Sequence, residues 1–176
     1  RLTSLFKKEP DALARLRETI QANTTDQEWV ESFRQRSQQL EQDRRAMLER
    51  LSGDPNDEAV RMFIESDAAW RNHHEALAEV TKRVHPAIVN RCVERTKPAL
   101  RNGLEAVRAR LVSEREAIEQ ADERSAANLG LQIEDVSSPV LGKITAVIGQ
   151  CDLYLGSIDS ETDLSKLNSK VEFCLA

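Results

Sequence analysis

Residues 140–158, VLGKITAVIGQCDLYLGSI, carry the strongest helical pattern in the chain. Apolar side chains recur there at intervals of three and four residues, the period of one face of an α-helix. They are Leu141, Ile144, Ile148, Cys151, Leu155 and Ile158. The only charged residues in this stretch are Lys143 and Asp152. We therefore predict a helix over 139–157, with a strand or an interrupted helix as the alternative, because Val, Ile and Gly also suit strands.

Three glycines, Gly142, Gly149 and Gly156, recur at every seventh residue of the same stretch. A glycine inside a helix costs about 1 kcal/mol relative to alanine. Their alignment predicts that the backbone of another helix approaches closely along this line. A further 3-4 pattern predicts a last helix over 161–175, so that 136–176 forms a C-terminal apolar helical hairpin. The apolar residues of that last helix are Leu164, Leu167, Val171 and Cys174.

Residues 1–129 precede this hairpin and are predicted to form an elongated antiparallel helical bundle. The turn Ser52-Gly53-Asp54-Pro55 separates helices predicted over 26–52 and 55–85, and each has apolar residues at coiled-coil-like spacing. Two helices joined by a short turn pack antiparallel. A turn centred near Gly53 places Phe33 opposite His73 or His74 and makes Trp70 a buried layer of the hairpin. The residues at sevenfold spacing are Phe33, Leu40, Met47, Phe63, Trp70, Leu77 and Val84.

Local signals divide the rest of this region into helices over about 10–22, 87–95 and 97–128. Asn23-Thr24-Thr25 predicts an interruption, since Thr25 and Glu28 match a capping box. His85-Pro86 predicts a kink or break, because proline lacks the amide hydrogen and restricts the residue before it. A new helix is predicted to start at Thr96-Lys97-Pro98, and Gly130 is predicted to stop it.

Composition agrees with an all-α fold. Of 176 residues, 40% are hydrophobic, and only 4 Phe, 2 Trp and 1 Tyr are aromatic. With 6 Gly and 5 Pro there are also few turn formers, which argues against a sheet protein. No run of 18 apolar residues predicts a membrane span, and no signal peptide is recognised. Because the chain begins at Arg1 and ends on apolar residues, we expect a piece of a longer protein.

The net charge of −5 conceals a basic block at 82–115, which holds nine Lys or Arg and three Asp or Glu. Within it Arg101, Arg108 and Arg115 recur at every seventh residue, where coiled coils place charges that select a partner. Such a stripe could follow a phosphate backbone, but the block holds no aromatic residue for base stacking. Acidic residues are abundant at 26–81 and 116–135. We therefore predict pairing between helices and regard nucleic acid as an unlikely partner.

Motifs for catalysis or metal binding are weak. His73-His74-Glu75 lacks a carboxylate one helical turn from a histidine, so no metal site is predicted. There is no nucleophile elbow and no glycine-rich phosphate loop, so no enzyme activity and no cofactor is expected. Cys92, Cys151 and Cys174 show no metal or disulfide spacing. Buried free thiols are typical of a reducing compartment, which predicts a cytoplasmic protein.

These observations favour a non-enzymatic assembly or scaffold module that binds a protein partner or a second copy, most simply as a homodimer. The predicted interaction residues are Leu141, Gly142, Ile144, Ile148, Gly149, Leu155, Gly156, Arg101, Arg108 and Arg115. The alternative is a ligand-sensing helical bundle of a bacterial receptor, in which buried Arg36, Asp43, Arg50 and His73 line a pocket. Arginine outnumbers lysine 18 to 7, which is typical of a bacterial or phage source.

Overall fold

The computed structural model describes residues 8–133 and 138–176, so the predicted domain limits at 1 and 136 lie outside the described residues. Nearly all described residues are helical and none forms a strand, which confirms the all-α prediction. The elements are α1 (Lys8–Gly53), α2 (Asp57–Glu79), a π-helical turn (Val80–Val84), α3 (His85–Leu129), α4 (Val140–Ser157) and α5 (Leu164–Leu175).

Helix ends follow local chemistry. α1 stops at Gly53 as predicted. Gly130 ends α3 in the left-handed conformation, with φ of 65°, and lets the Leu131 amide donate to the Ala126 carbonyl at 3.0 Å. The N-cap of α2 is Asn56, whose side chain accepts from the Ala59 amide at 2.9 Å, so α2 begins two residues after the predicted start at 55. Asp163 caps α5 by accepting from the Ser165 amide at 2.8 Å.

α1 runs without interruption through residues 23–25, where the sequence pattern predicts a break. The Thr25 hydroxyl donates to the Gln21 carbonyl, four residues earlier, at 3.1 Å. A threonine that bonds back to its own helix does not cap a new one, so the capping box with Glu28 is not used. The predicted helices 10–22 and 26–52 are therefore one helix.

Of the kink or break predicted at His85-Pro86, the break does not occur, since the chain is helical from Asp57 through Leu129. A π-helical turn lies directly before Pro86, and the His85 amide donates to the Val80 carbonyl. A proline ring collides with the carbonyl four residues earlier in a regular helix, and the wider π turn relieves that collision. Pro98 likewise lies inside α3 and does not start a helix.

The chain divides into two compact units, and their limits differ from those of the predicted domains 1–129 and 136–176. The hairpin unit comprises residues 21–91. The bundle unit comprises the described residues of 1–20 and 92–176. The predicted C-terminal hairpin is therefore part of a larger unit, because α4 and α5 share a core with the start of α1 and with α3.

In the hairpin unit, α1 and α2 run antiparallel. His73 Nε2 lies 2.9 Å from the Phe33 carbonyl oxygen, and the two rings stack with centroids 4.3 Å apart, in the predicted register. Trp70 is half-buried rather than a fully buried layer. Few apolar side chains of the hairpin unit are buried. They are Val30 and Leu40 of α1, Ala59 of α2, Val80 of the π-helical turn and Ile88 of α3.

The bundle unit has one continuous core drawn from four helical segments. Its buried residues are Leu16 of α1, Val93, Leu100 and Leu104 of α3, Cys151 of α4, Ile158, and Leu167, Val171 and Cys174 of α5. Burial of apolar surface contributes roughly 25 cal/mol per Å² to folding. This cluster is therefore the main source of stability in the unit.

Gly103 of α3 lies where three of these helices meet. A Cβ atom on Gly103 would come within 3.1 Å of Cys174 Sγ and 3.2 Å of Leu16 Cδ2. The missing side chain thus lets α1 and α5 approach α3 closely. The sequence pattern gave this role to other glycines and overlooked Gly103.

We predict that Gly103→Leu destabilises the protein by about 1–3 kcal/mol, because overpacking a tight contact forces side chains or backbone to move. Ala109→Leu is the matched control, since Ala109 is exposed on the same helix. Urea unfolding followed by circular dichroism measures both. Equal stability of the two variants would show that α3 does not pack closely at Gly103.

Candidate interaction surface

The predicted seam of α4 faces the core of its own chain. Ile144 and Ile148 are buried, Ile148 with only 6% of its surface exposed, while Leu141 and Leu155 are half-buried. Leu155 packs against the bundle core. Ile144 and Ile148 are therefore not available to a partner, and the prediction of an interaction role for them is corrected. The reason is that a seam of large apolar side chains was already matched by α3 and α5.

The opposite side of α4 carries a second stripe at intervals of three and four residues, which we call the outer stripe. It consists of Gly142, Ala146, Gly149, Leu153 and Gly156, and all five are exposed. A Cβ atom placed on any of the three glycines would find nothing within 4 Å. The close helix approach predicted at these glycines is thus not made by the described part of this chain.

Leu153, the one large residue of the outer stripe, is 68% exposed. Val140 and Val147 are also exposed, but they lie two residues from Gly142 and Gly149 and therefore on the other flank of the buried seam. Lys143 and Asp152 are the only charged residues of α4. A helix that is apolar all round is normally buried on all sides. α4 therefore has the composition of a fully surrounded helix, but the described residues cover only its inner side.

Two of the three predicted interaction arginines pair with acidic residues of the same unit. Arg101 Nη2 lies 2.7 Å from Asp159 Oδ1, and Arg108 Nε lies 2.5 Å from Asp152 Oδ1. Arg115 instead lies 3.6 Å from Glu119 of its own helix. Arg101 and Arg108 thus connect α3 to α4 and the turn after it. This is the internal pairing that the charge pattern favoured over a phosphate backbone.

The residues of the alternative ligand pocket do not line a buried site. Arg36, Asp43 and Arg50 are exposed, contrary to the prediction that they are buried. His73 is half-buried, and its Nε2 already contacts the Phe33 carbonyl. The prediction was wrong because the α1 residues that face α2 are shifted by one position from those assumed.

In the hairpin unit, the Arg44 guanidinium and the rings of Trp70 and His74 stack on one another. The sequence pattern did not predict this contact. The Arg44 guanidinium lies 4.7 Å from the Trp70 ring centroid, and Trp70 stacks on His74 with centroids 5.0 Å apart. Arg44 Nε also donates to Asp67 Oδ1 at 2.6 Å. This hydrogen bond, together with Arg71, holds the pKa of Asp67 below its usual value. The arrangement joins α1 to α2.

Lys170 is a buried lysine at the junction of α4 and α5. Its Nζ donates to Ser157 Oγ at 2.9 Å and lies 3.6 Å from Glu161 Oε2. A serine beside a lysine resembles the nucleophile and base of some hydrolases. However, the Ser157 hydroxyl already donates a hydrogen bond to the Tyr154 carbonyl oxygen at 3.2 Å.

The carboxylate of Glu161 also argues for a structural role of Lys170. The Asp163 amide, which donates to Glu161 Oε1, and the nearby lysine charges lower the pKa of Glu161. Glu161 is therefore ionised at neutral pH and stabilises a charged neighbour. A lysine base must instead lose its proton to act. Lys170 is best described as a link that fastens α5 to the end of α4.

Within residues 8–133 and 138–176, no group of three or more His, Cys, Asp or Glu residues could hold a metal ion. Within the same residues, no helix combines the length and apolar character needed to cross a membrane.

Comparisons with protein-family models, with curated proteins and with solved structures find no match to this chain. Function must therefore be argued from the residues themselves. The uncovered outer stripe of α4 is the feature that calls for a partner.

We predict that Lys170→Met lowers the free energy of unfolding by about 1–3 kcal/mol, because Ser157 and Glu161 lose a charged hydrogen-bond partner. The control is Lys166→Met on the same helix, whose side chain is exposed. Urea titration compares the two variants. A Lys170→Met variant as stable as the control would mean that this link adds nothing to stability.

Because Cys151 and Cys174 have buried thiols, we predict that the free energy of unfolding falls at high pH. Burial raises the pKa of Cys174 from 9.0 to about 11, and burial also raises the pKa of Cys151. The unfolded chain loses these protons first, so their contribution is full below about pH 9 and is lost as pH rises through about 11. Between pH 9 and about pH 11, the free energy of unfolding should therefore fall further for the parent than for a Cys151→Ala/Cys174→Ala variant. Urea titration at several pH values measures this, and an equal fall in both proteins would contradict the prediction.

Proposed function

We propose that this chain is a non-enzymatic assembly module that self-associates through the outer stripe of α4. The observation that carries the proposal is that α4 is apolar on both sides while its outer side is uncovered among the described residues. An exposed leucine in a line of glycine and alanine leaves apolar helix surface against which a second helix can pack. A second helix laid along the outer stripe would bury Leu153 and its apolar neighbours.

The glycines of the outer stripe support this proposal. Each of them weakens α4 by about 1 kcal/mol relative to alanine. Nothing in the described chain uses the space that they leave, in contrast to Gly103. Small residues on a helix surface allow a second helix to come close. A partner helix therefore gives a physical reason for three glycines in one line.

A second copy of the chain is the partner that the outer stripe fits. In a twofold dimer the same surface of each copy meets itself. A protruding side chain at one point of that surface must therefore fit a recess at another point of it. The outer stripe offers both small residues and the large Leu153. Lys143 and Asp152 lie on opposite flanks of it, because their separation of nine residues makes about two and a half helical turns.

The proposed setting is the cytoplasm of a bacterium or a phage-infected cell. Support comes from Cys151 and Cys174, which are buried free thiols, since free thiols persist in reducing compartments. The excess of arginine over lysine supports the source.

The test is light scattering on the full chain and on Leu153→Asp. The parent should be a dimer at micromolar concentration. A charge at this exposed position should raise the dissociation constant at least tenfold, which is about 1.4 kcal/mol, while helicity is kept. Ile64→Asp is the control, since Ile64 is 60% exposed but lies in the hairpin unit, and it should leave the dimer unchanged.

Two results would contradict the proposal. One is a parent that stays monomeric at high micromolar concentration. The other is a Leu153→Asp variant that loses its helicity, because Leu153 would then be needed for folding of the chain itself. Ile148→Asp serves as a reference for that outcome, since Ile148 is buried in the core and its replacement should unfold the bundle unit.

A further inference from the structure

We propose that Cys151 of α4 and Cys174 of α5 are a redox-sensitive pair, which a low-molecular-weight disulfide converts into a disulfide bond that locks α5 against α4. This inference goes beyond self-association and does not depend on it, because both residues lie in the core of the bundle unit and not on the outer stripe. It is carried by the register of the two helices and by the burial of both thiols.

Contacts between α4 and α5 show that the two helices pack side by side in antiparallel orientation. Lys170 Nζ donates to Ser157 Oγ at 2.9 Å, close to the turn that joins them. Further from the turn, the rings of Phe173 and Tyr154 meet edge to face with centroids 5.1 Å apart. A step of three residues forward on α5 thus corresponds to a step of three residues back on α4.

This register places Cys174 beside Cys151. Lys170 is level with residues 154–157, because it contacts residues at both ends of that turn of α4. Cys174 lies one helical turn later on α5 and is therefore level with residues 150–153. Among those four residues only Cys151 is buried, so it is the one that faces the core. Cys151 and Cys174 have 0% and 5% of their surface exposed in one and the same core cluster.

The geometry of packed helices suits a disulfide at such a position. A disulfide joins Cα atoms that lie about 4.4–6.8 Å apart. The axes of packed helices lie about 8–10 Å apart, and each Cα lies about 2.3 Å from its own axis, so residues that face each other fall into that range. The pKa of Cys174 agrees with this proximity. Burial raises it most, and the negative charge of an ionised Cys151 raises it further.

Cys92 lies too far away to compete for Cys174. Cys174 Sγ is level with Gly103 of α3, since a Cβ atom on Gly103 would come within 3.1 Å of it. Cys92 lies eleven residues earlier on α3, which is about 16 Å along the helix axis. Cys92 is also not among the residues of this core cluster. The folded chain therefore favours one pairing of its cysteines.

The reaction is thiol–disulfide exchange with a small disulfide, R–S–S–R. One protein thiol loses its proton, and its sulfur attacks a sulfur of the oxidant. This breaks the S–S bond and releases RS⁻, which takes up the proton as RSH. The second protein thiol then attacks the protein sulfur of the mixed disulfide in the same way and releases another RSH. The two cysteines lose two electrons, and the oxidant gains them.

Burial determines when this exchange takes place. The thiolate is the attacking species, and apolar surroundings disfavour it. The oxidant therefore reaches the pair when α5 separates briefly from α4, since elements at the end of a chain open more readily than the whole fold. The disulfide that forms holds α5 in place when it returns.

The test uses the full chain in mixtures of reduced and oxidised glutathione, followed by alkylation of the remaining thiols in urea and mass spectrometry of tryptic peptides. Cleavage after Lys and Arg puts the three cysteines into different peptides, 92–95, 144–166 and 171–176. The folded chain should give 144–166 linked to 171–176, with 92–95 alkylated. The same oxidation of the unfolded chain in urea should also link 92–95.

The fold should favour this disulfide measurably. Its equilibrium constant against glutathione should be at least tenfold larger in the folded chain than in urea, because the fold holds the two thiols together. By linkage, the oxidised chain should unfold at a higher urea concentration than the reduced chain.

Single variants are the matched controls. Cys92→Ala should form the same link as the parent. Cys151→Ala should form no link within the folded chain, because its two remaining cysteines lie too far apart. Circular dichroism checks that each variant is folded.

Three results would overturn the inference. They are a folded chain whose peptides 144–166 and 171–176 stay unlinked, a link to 92–95 in the folded chain, and an equilibrium constant no larger than in urea. None of them bears on the light-scattering test of Leu153→Asp, which concerns the outer side of α4. The two proposals therefore fail independently.

Discussion

The bundle unit depends on the close approach of Leu16 and Cys174 over Gly103. One residue belongs to the first helix and the other to the last, so this contact closes the unit over a long stretch of sequence. A side chain on Gly103 would separate α1 and α5 from α3. That separation would also disturb α4, because Cys151 and Ile158 are buried in the same core. The position of α4, and therefore the side that it leaves exposed, follows from a missing side chain on another helix.

α4 is apolar on two sides for two different reasons. Its inner side consists of large residues such as Ile148, which fill the core. Its outer side consists mainly of glycine and alanine, with Leu153 as the one large exposed residue. Small residues add little to the stability of a monomer, and glycine lowers it. The outer side therefore contributes to the chain only when something lies against it.

The 3-4 spacing and the capping residues predicted the fold class and seven helix ends to within two residues, namely both ends of α1 and α4, the start of α2 and the C-terminal ends of α3 and α5. It failed where a polar side chain satisfied its own helix, as Thr25 does with the Gln21 carbonyl. It also failed at Pro86, where a π turn keeps the helix continuous. The site was predicted in part. Sequence singled out the glycines of α4 but could not say which side faced the core, since both stripes have helical spacing.

The choice of glycine also sets the strength of the proposed pair. A stripe of leucines at the same positions would expose enough apolar surface to make the dimer obligatory and the free chain prone to aggregation. With glycine, the outer stripe of each copy exposes one leucine beside backbone that water can solvate. The buried area per copy is then small, so affinity depends on close backbone approach. Such an interface favours a reversible dimer whose population follows protein concentration.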